Sequence, residues 1–271
     1  MAARGFHAFR PSRRRGQHFL VDRGIQRRIA QAAQLPQGAV VLELGAGTGL
    51  LTDALRFYAS RVIAVEIEPV LVARLEAKFE QASDVVVLSA DARDIDGSGI
   101  GTPCYHVVAN LPFSAGTRMV INLLQSTTPP QSMSVVLQRE VVQRMCAPLG
   151  SMRLLAVIVQ SVASASPLFD VPPGAFRPRP KVVSTLVRLE SLKLDTHHRN
   201  RVFRRVAAAR QGFAQPRKQL RNSLGGFDGI AQRLADCGID PKRRPESLSL
   251  DEWDLVADVI DDGAACRQAA S

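Results

Sequence analysis

Val40-Val41-Leu42-Glu43-Leu44-Gly45-Ala46-Gly47-Thr48-Gly49 is the stretch that decides how this chain folds. Residues 40–44 are an almost unbroken apolar run, the composition of a strand buried on both faces. Three glycines at alternate positions then permit a tight turn and a close approach of backbone to a ligand, with a helix opening at 50–58. The same alternation continues downstream. Strands are expected at 61–67, 85–88, 105–110 and 134–138, and helices at 70–79, 116–124 and from Glu140 onward. Upstream, Ile25, Ile29, Ala32 and Ala33 recur at helical spacing and stop at Pro36 and Gly38. A proline-punctuated loop at 172–181 precedes residues 182–189, read as the last strand closing the sheet. Strands alternating with helices predict an α/β fold with a doubly wound, Rossmann-like parallel sheet, which binds ligands at the carboxyl ends of its strands.

Beyond Arg199 the pattern changes to helices without strands, at 202–211, 217–224, 230–237 and 250–260. A domain boundary is therefore expected near 191–198. It separates a ligand-binding domain (1–190, opening with a basic segment at 1–28) from a small all-helical domain (191–262). Residues 263–271 read as a frayed tail. No internal repeat is visible.

The net charge of +10 is unevenly placed. Residues 1–28 hold eight arginines against Asp22, residues 29–198 are balanced, and residues 199–244 hold twelve basic against three acidic side chains. Residues 246–262 then hold seven acids and no base. Two basic segments flanking a neutral body suit phosphate binding better than a small-molecule enzyme. An arginine-rich solvated surface is the alternative, but it predicts an even spread. The four cysteines (Cys104, Cys146, Cys237, Cys266) stand far apart, so neither a disulfide framework nor a metal site is expected, in keeping with a reducing cytoplasm. No apolar run approaches the roughly 20 residues of a membrane span. The arginine-rich start lacks the apolar core of a secretory signal, and the body begins too early for a presequence.

The glycine turn alone is a weak signal, because dinucleotide enzymes use similar turns. Glu66 sharpens it by ending the second strand, where a carboxylate accepts ribose hydroxyls. Asp91 ends the third strand, placed to accept an adenine amino group or to cap a helix. Glu43 serves either the far end of the same ligand or the turn itself. Asn110-Leu111-Pro112-Phe113 carries most weight, because it resembles the short tetrapeptide by which methyltransferases hold an exocyclic amine beside a sulfonium donor. An exocyclic adenine nitrogen is a poor nucleophile because its lone pair is delocalised into the ring. Two acceptors, the Asn110 side-chain oxygen and a carbonyl near Leu111, would hold its hydrogens and favour a tetrahedral nitrogen facing a sulfonium methyl. Pro112 fixes the local backbone, and Phe113 offers a face for an extruded base. Such transfer needs positioning and electrostatics more than a general base.

These motifs resemble those of the rRNA adenine N6,N6-dimethyltransferase family, and within it the bacterial small-subunit (KsgA-type) branch. The likeness runs along nearly the whole chain. It is carried by Gly16-Gln17-His18-Phe19-Leu20, the glycine turn, Val65-Glu66-Ile67-Glu68, Asp91, Asn110-Leu111-Pro112-Phe113, residues 171–183, Arg217-Lys218-Gln219-Leu220-Arg221-Asn222 and Arg244-Pro245-Glu246-Ser247-Leu248-Ser249. The resemblance implies a class I methyltransferase using S-adenosyl-L-methionine to dimethylate two adjacent adenines in the 3′-terminal hairpin of 16S rRNA during ribosome assembly. It implies a cytoplasmic monomer whose partner is small-subunit rRNA in an assembling 30S particle, with no metal and no membrane. His18, Leu20, Gly45, Gly47, Glu66, Ile67, Asp91, Ala92 and Asn110 would line the cofactor site, and Asn110, Leu111, Pro112 and Phe113 the catalytic site. Arg13, Arg14, Arg15, Arg177, Arg179, Lys181, Arg217, Lys218 and Arg221 would contact RNA. The chain departs from the family pattern at His18 (usually asparagine), Glu68 (usually aspartate) and Phe113 (more typically tyrosine), and in a shorter turn at 150–155. A large-subunit rRNA methyltransferase giving antibiotic resistance, and a non-catalytic assembly or RNA-binding factor, stand as alternatives.

Overall fold

The computed structural model describes the backbone of residues 18–269 and the side chains of 18–261. Arg13, Arg14, Arg15, Gly16 and Gln17 lie outside the described residues. The chain divides into two compact units, one of residues 1–142 and 166–191, the other of 143–165 and 192–271.

The first unit is built on a seven-stranded sheet. In chain order its early elements are β1 (Phe19–Leu20), α1 (Arg23–Ala32), β2 (Val40–Leu44), α2 (Leu50–Leu55), β3 (Arg61–Glu66), α3 (Pro69–Phe79), β4 (Val85–Ser89), β5 (Tyr105–Asn110), α4 (Gly116–Leu124) and β6 (Ser132–Gln138). Then follow α5 (Arg139–Met145), α6 (Leu154–Gln160), β7 (Ala163–Val171), β8 (Phe176–Arg177) and β9 (Ser184–Ser191). The sheet order is β4-β3-β2-β5-β6-β9-β7, and β1 pairs separately with β8. The pairs among β2 to β6 are parallel, in registers such as Val41↔Val62 and Val41↔His106. The β6–β9 pair is antiparallel. After β4 the chain returns to the other side of β2, so the order of winding reverses between β2 and β5. That crevice is where an open α/β sheet holds its ligand. One core cluster joins Ile29 and Ala30 of α1 and Leu51 and Leu55 of α2 to Val41, Val62 and Val108, all buried. Asp22 caps α1 by accepting from the Gly24 and Ile25 amides.

Two expectations about this unit need correction. Residues 182–189 do not close the sheet, because β9 lies inside it and β7 forms the edge. The sequence of β7 hid it. Only its two ends are buried, and Pro167 is a residue that strands tolerate at an edge. Residues 143–165 do not group with the sheet either. Leu154 and Val157 of α6 pack into the helical core instead.

The second unit also contains α7 (Thr196–Gly212), α8 (Leu220–Ser223), α9 (Ile230–Asp236) and α10 (Leu250–Ala269). Its core gathers Leu220, Leu234, Leu248 and Val256 around a fully buried Trp253. The expected frayed tail is helical to Ala269, in a stretch rich in alanine, the strongest helix former. Its arginines are not all available to a partner. Asp254 accepts from Arg201 and bidentately from Arg205, Arg204 reaches Asp258 and Asp261, and Arg243 pairs with Glu252. The acidic run near the C-terminus thus neutralises much of the basic run before it.

Candidate active site

A cleft of about 350 Å³ opens at the carboxyl ends of β2, β3, β4 and β5, entirely within the first unit. The glycine turn forms its floor. The amides of Gly45 and Ala46 both donate to the Val65 carbonyl at 2.9 Å, tying the turn to β3. Gly47 has φ +59°, and a Cβ there would lie 2.9 Å from the Phe19 ring. The first strand therefore lies directly on the turn. Gly49 has φ +70°, and a Cβ there would meet Leu75 at 2.6 Å, so α3 approaches just as closely from the other side.

Three carboxylates stand around this floor. Glu66 is buried and accepts from the amides of Gly47 (2.8 Å), Ile67 (2.9 Å) and Glu68 (3.0 Å). Backbone donors fix its carboxyl group at the end of β3. Asp91 follows β4, and its Oδ1 accepts from the Arg93 amide at 2.9 Å in a turn, so it opens no helix. Glu43 lies beneath the cleft rather than in its lining, 2% exposed, with the Thr52 hydroxyl donating to it at 2.6 Å. Of its two expected roles, this placement favours orienting the turn. Burial pushes its carboxyl up to about 8, against the lowering effect of the Thr52 hydrogen bond.

Asn110 ends β5 at the centre of the site. Its Nδ2 donates to the His18 carbonyl at 2.9 Å, while its Oδ1 is buried without a hydrogen-bond partner. Such an atom costs about 1–3 kcal/mol unless something donates to it. Asn110 lines a ligand-sized cleft, and its Oδ1 is an acceptor that an N–H reaching it would satisfy. Pro112 accepts from the Ala115 and Gly116 amides, which starts α4 and holds the loop between. Leu111 is buried, and a Cβ on Gly116 would lie 2.9 Å from its own Cβ.

Of the residues expected at the site, His18, Gly45, Glu66, Ile67, Asp91, Ala92, Asn110, Leu111 and Pro112 line the cleft. Leu20 does not. Its side chain is buried in the core with Ile29 and Phe176, because alternation along β1 turns Phe19 to the cleft and Leu20 inward. Gly47 acts through its amide on Glu66. Phe113 stands beside the lining, its ring 4.9 Å from that of His18. The His18 Nδ1 in turn lies 2.7 Å from the Pro178 carbonyl. Phe19, Arg93, Ser114, Ala115 and Met119 also line the cleft and were not foreseen. Alternation along β1 pointed to Phe19, and helical spacing after Pro112 to Ala115 and Met119. Arg177, Arg179, Lys181, Arg217, Lys218 and Arg221 are all exposed.

The parallel sheet, the glycine turn and the acidic strand ends define a class I methyltransferase, the group whose cofactor is S-adenosylmethionine. Residues 8–262 match the family described as ribosomal RNA adenine dimethylase, and the chain belongs to that family. It is 39% identical over 260 residues to ribosomal RNA small subunit methyltransferase A of Syntrophotalea carbinolica, covering 93% of this chain and 97% of that one. The protein of the same name from Sinorhizobium medicae is 39% identical over 255 residues, covering 90% and 91%. Among solved structures, a dimethyladenosine transferase from Plasmodium falciparum superposes with a TM-score of 0.77 at 20% identity, covering 91% of this chain and 98% of that one. The 23S rRNA methyltransferase ErmE superposes at 0.71 and 24% identity, covering 90% and 99%. Both show the shared fold.

Proposed function

We propose that this protein dimethylates N6 of two adjacent adenines near the 3′ end of small-subunit rRNA. It would act as a cytoplasmic monomer on an assembling 30S particle. The observation that carries the reading is the buried, unpartnered Oδ1 of Asn110, a residue of the cleft lining, backed by relatives named for the small subunit. S-adenosylmethionine, when bound, supplies an electrophilic methyl group whose sulfonium charge is neutralised on transfer. The residues present fit it: the glycine turn admits a ligand closely, Glu66 would accept from the ribose hydroxyls, Asp91 would accept from the adenine amino group, and Ile67 and Ala92 would form apolar walls.

Asn110 Oδ1 then accepts one hydrogen of the target amine, and a carbonyl beside Leu111 accepts the other. Together they draw the lone pair out of the ring and aim it. Fixing Nδ2 on the His18 carbonyl keeps Oδ1 turned to the substrate. Phe113, supported by the His18 ring, stacks on the extruded base. Arg177, Arg179, Lys181, Arg217, Lys218 and Arg221 hold RNA phosphates, with Arg13, Arg14 and Arg15 as further candidates.

The test is methyl transfer to separately purified ribosomal subunits lacking the modification. Label should enter small-subunit rRNA, and Asn110→Ala should lose on the order of 10²- to 10³-fold in rate, as when one positioned polar group is removed. Full activity in that variant rejects the assignment, and labelling of the large subunit instead would move the substrate.

A further inference from the structure

Arg93 lines the cleft, yet the chemistry above gives it no task. Its guanidinium grips Asp91. Nε lies 3.0 Å from each carboxylate oxygen, and Nη2 donates to Oδ2. The Arg93 amide adds a contact of 2.9 Å to Oδ1. Three N–H groups of this one residue, the Nε–H shared between both oxygens, thus engage each oxygen of a carboxylate that offers about four acceptor sites. Asp91 is also the group proposed to accept the 6-amino hydrogen of the cofactor's adenine, and the inference rests on that reading. An amino N–H arriving at either oxygen competes with a contact already made there. The amide contact is fixed by the turn, so the guanidinium has to yield. With 61% of the Arg93 side chain exposed against 20% of that of Asp91, the arginine has water to swing into and the carboxylate stays in place.

We propose that Arg93 is an internal competitor for the adenine subsite, occupying Asp91 until the cofactor's 6-amino group replaces it. It is thereby a residue that sets cofactor affinity. An exposed ion pair is worth little, so the effect is modest, about two- to five-fold in affinity. Because the guanidinium imitates the amino donor, the competition is confined to ligands that need Asp91.

Calorimetric titration of the full chain and of Arg93→Leu tests this, using S-adenosylhomocysteine and its 6-deamino analogue, which carries hydrogen at C6. Arg93→Leu should bind S-adenosylhomocysteine about two- to five-fold tighter and the deamino analogue unchanged. Added salt should narrow the gap by screening the ion pair in the wild type. Arg93→Lys, which keeps the charge but not the fork, should fall between. Unchanged or weaker binding of S-adenosylhomocysteine by Arg93→Leu overturns the proposal, as does a gain shared by the deamino analogue. A separate outcome strikes the underlying reading. If Arg93→Leu, in which Asp91 has lost its competitor, binds both ligands equally, Asp91 is not the adenine acceptor.

Discussion

Glu43 is a carboxyl sealed under the glycine turn, with Thr52 donating to it and its proton held to about pH 8. The unfolded chain releases that proton near the ordinary value of 4.5. Between those values the folded state binds more protons, so the stability this residue contributes is complete below about pH 4.5 and is lost as pH rises through 8. Glu43→Gln keeps the shape and removes the titration. Its thermal midpoint, measured beside the wild type from pH 5 to 9, should fall less steeply, with the two curves separating by several degrees at the alkaline end. A tenfold difference in proton affinity is worth about 1.4 kcal/mol, and each kcal/mol moves the midpoint of a chain this size by roughly 2–4 °C. Parallel curves would show that Glu43 ionises freely. At this scale Asn110, Glu66 and Asp91 were legible because the first two end strands with a strong apolar pattern and the third follows one within two residues. The His18 ring against Phe113 and the Arg93 grip on Asp91 were not. The first needs β1 brought to β5, and the second depends on the conformation of one turn.

Among elements, α7 and α10 meet through a buried ion pair and a tight packing point. Arg205 is 9% exposed, and its guanidinium donates twice to Asp254, at 2.7 and 2.6 Å, and once to Ser161 at 3.3 Å. Removing one partner of such a pair strands the other charge, which costs about 3–5 kcal/mol. Asp254→Leu should therefore unfold at markedly lower denaturant, and Arg205→Met combined with it should recover most of the loss. Equal midpoints for the single variant and the wild type in urea titrations would refute the pair's role. Close by, a Cβ on Gly212 would lie 2.4 Å from Trp253, which explains the glycine that ends α7. The helices of this unit were readable from periodicity, as were β2 to β6. Elements whose burial is partial or shared were harder to read. The edge strand β7 lacks an apolar stripe along its length. The apolar run of α6 identifies a buried segment without saying which core receives it.

For the whole molecule, the distribution of charge matters more than the total. Arg201, Arg204, Arg205 and Arg243 are engaged by acids of the same unit, whereas Arg217 and Lys218 make no ion pair among the described residues. The net positive sum was readable from composition, but its partition depends on which face of α10 meets α7. RNA affinity should fall with salt at a logarithmic slope of about −0.7 to −0.9 per phosphate neutralised. Replacing Arg217, Lys218 and Arg221 together by alanine should reduce that slope by about two to three, read by anisotropy of a labelled hairpin across a salt series. An unchanged slope would remove these residues from the RNA face. The pairing of β1 with β8 bears on how the cleft comes into being. Phe19 and Leu20 align with Arg177 and Phe176, and His18 reaches Pro178 across 160 residues. The wall that closes one side of the cofactor cleft thus precedes the sheet in the chain, yet its strand partner comes only at the far end of the same unit. A chain ending before Phe176 would carry the five parallel strands and still lack the strand that holds β1 in place, so cofactor competence should appear only once β8 is present.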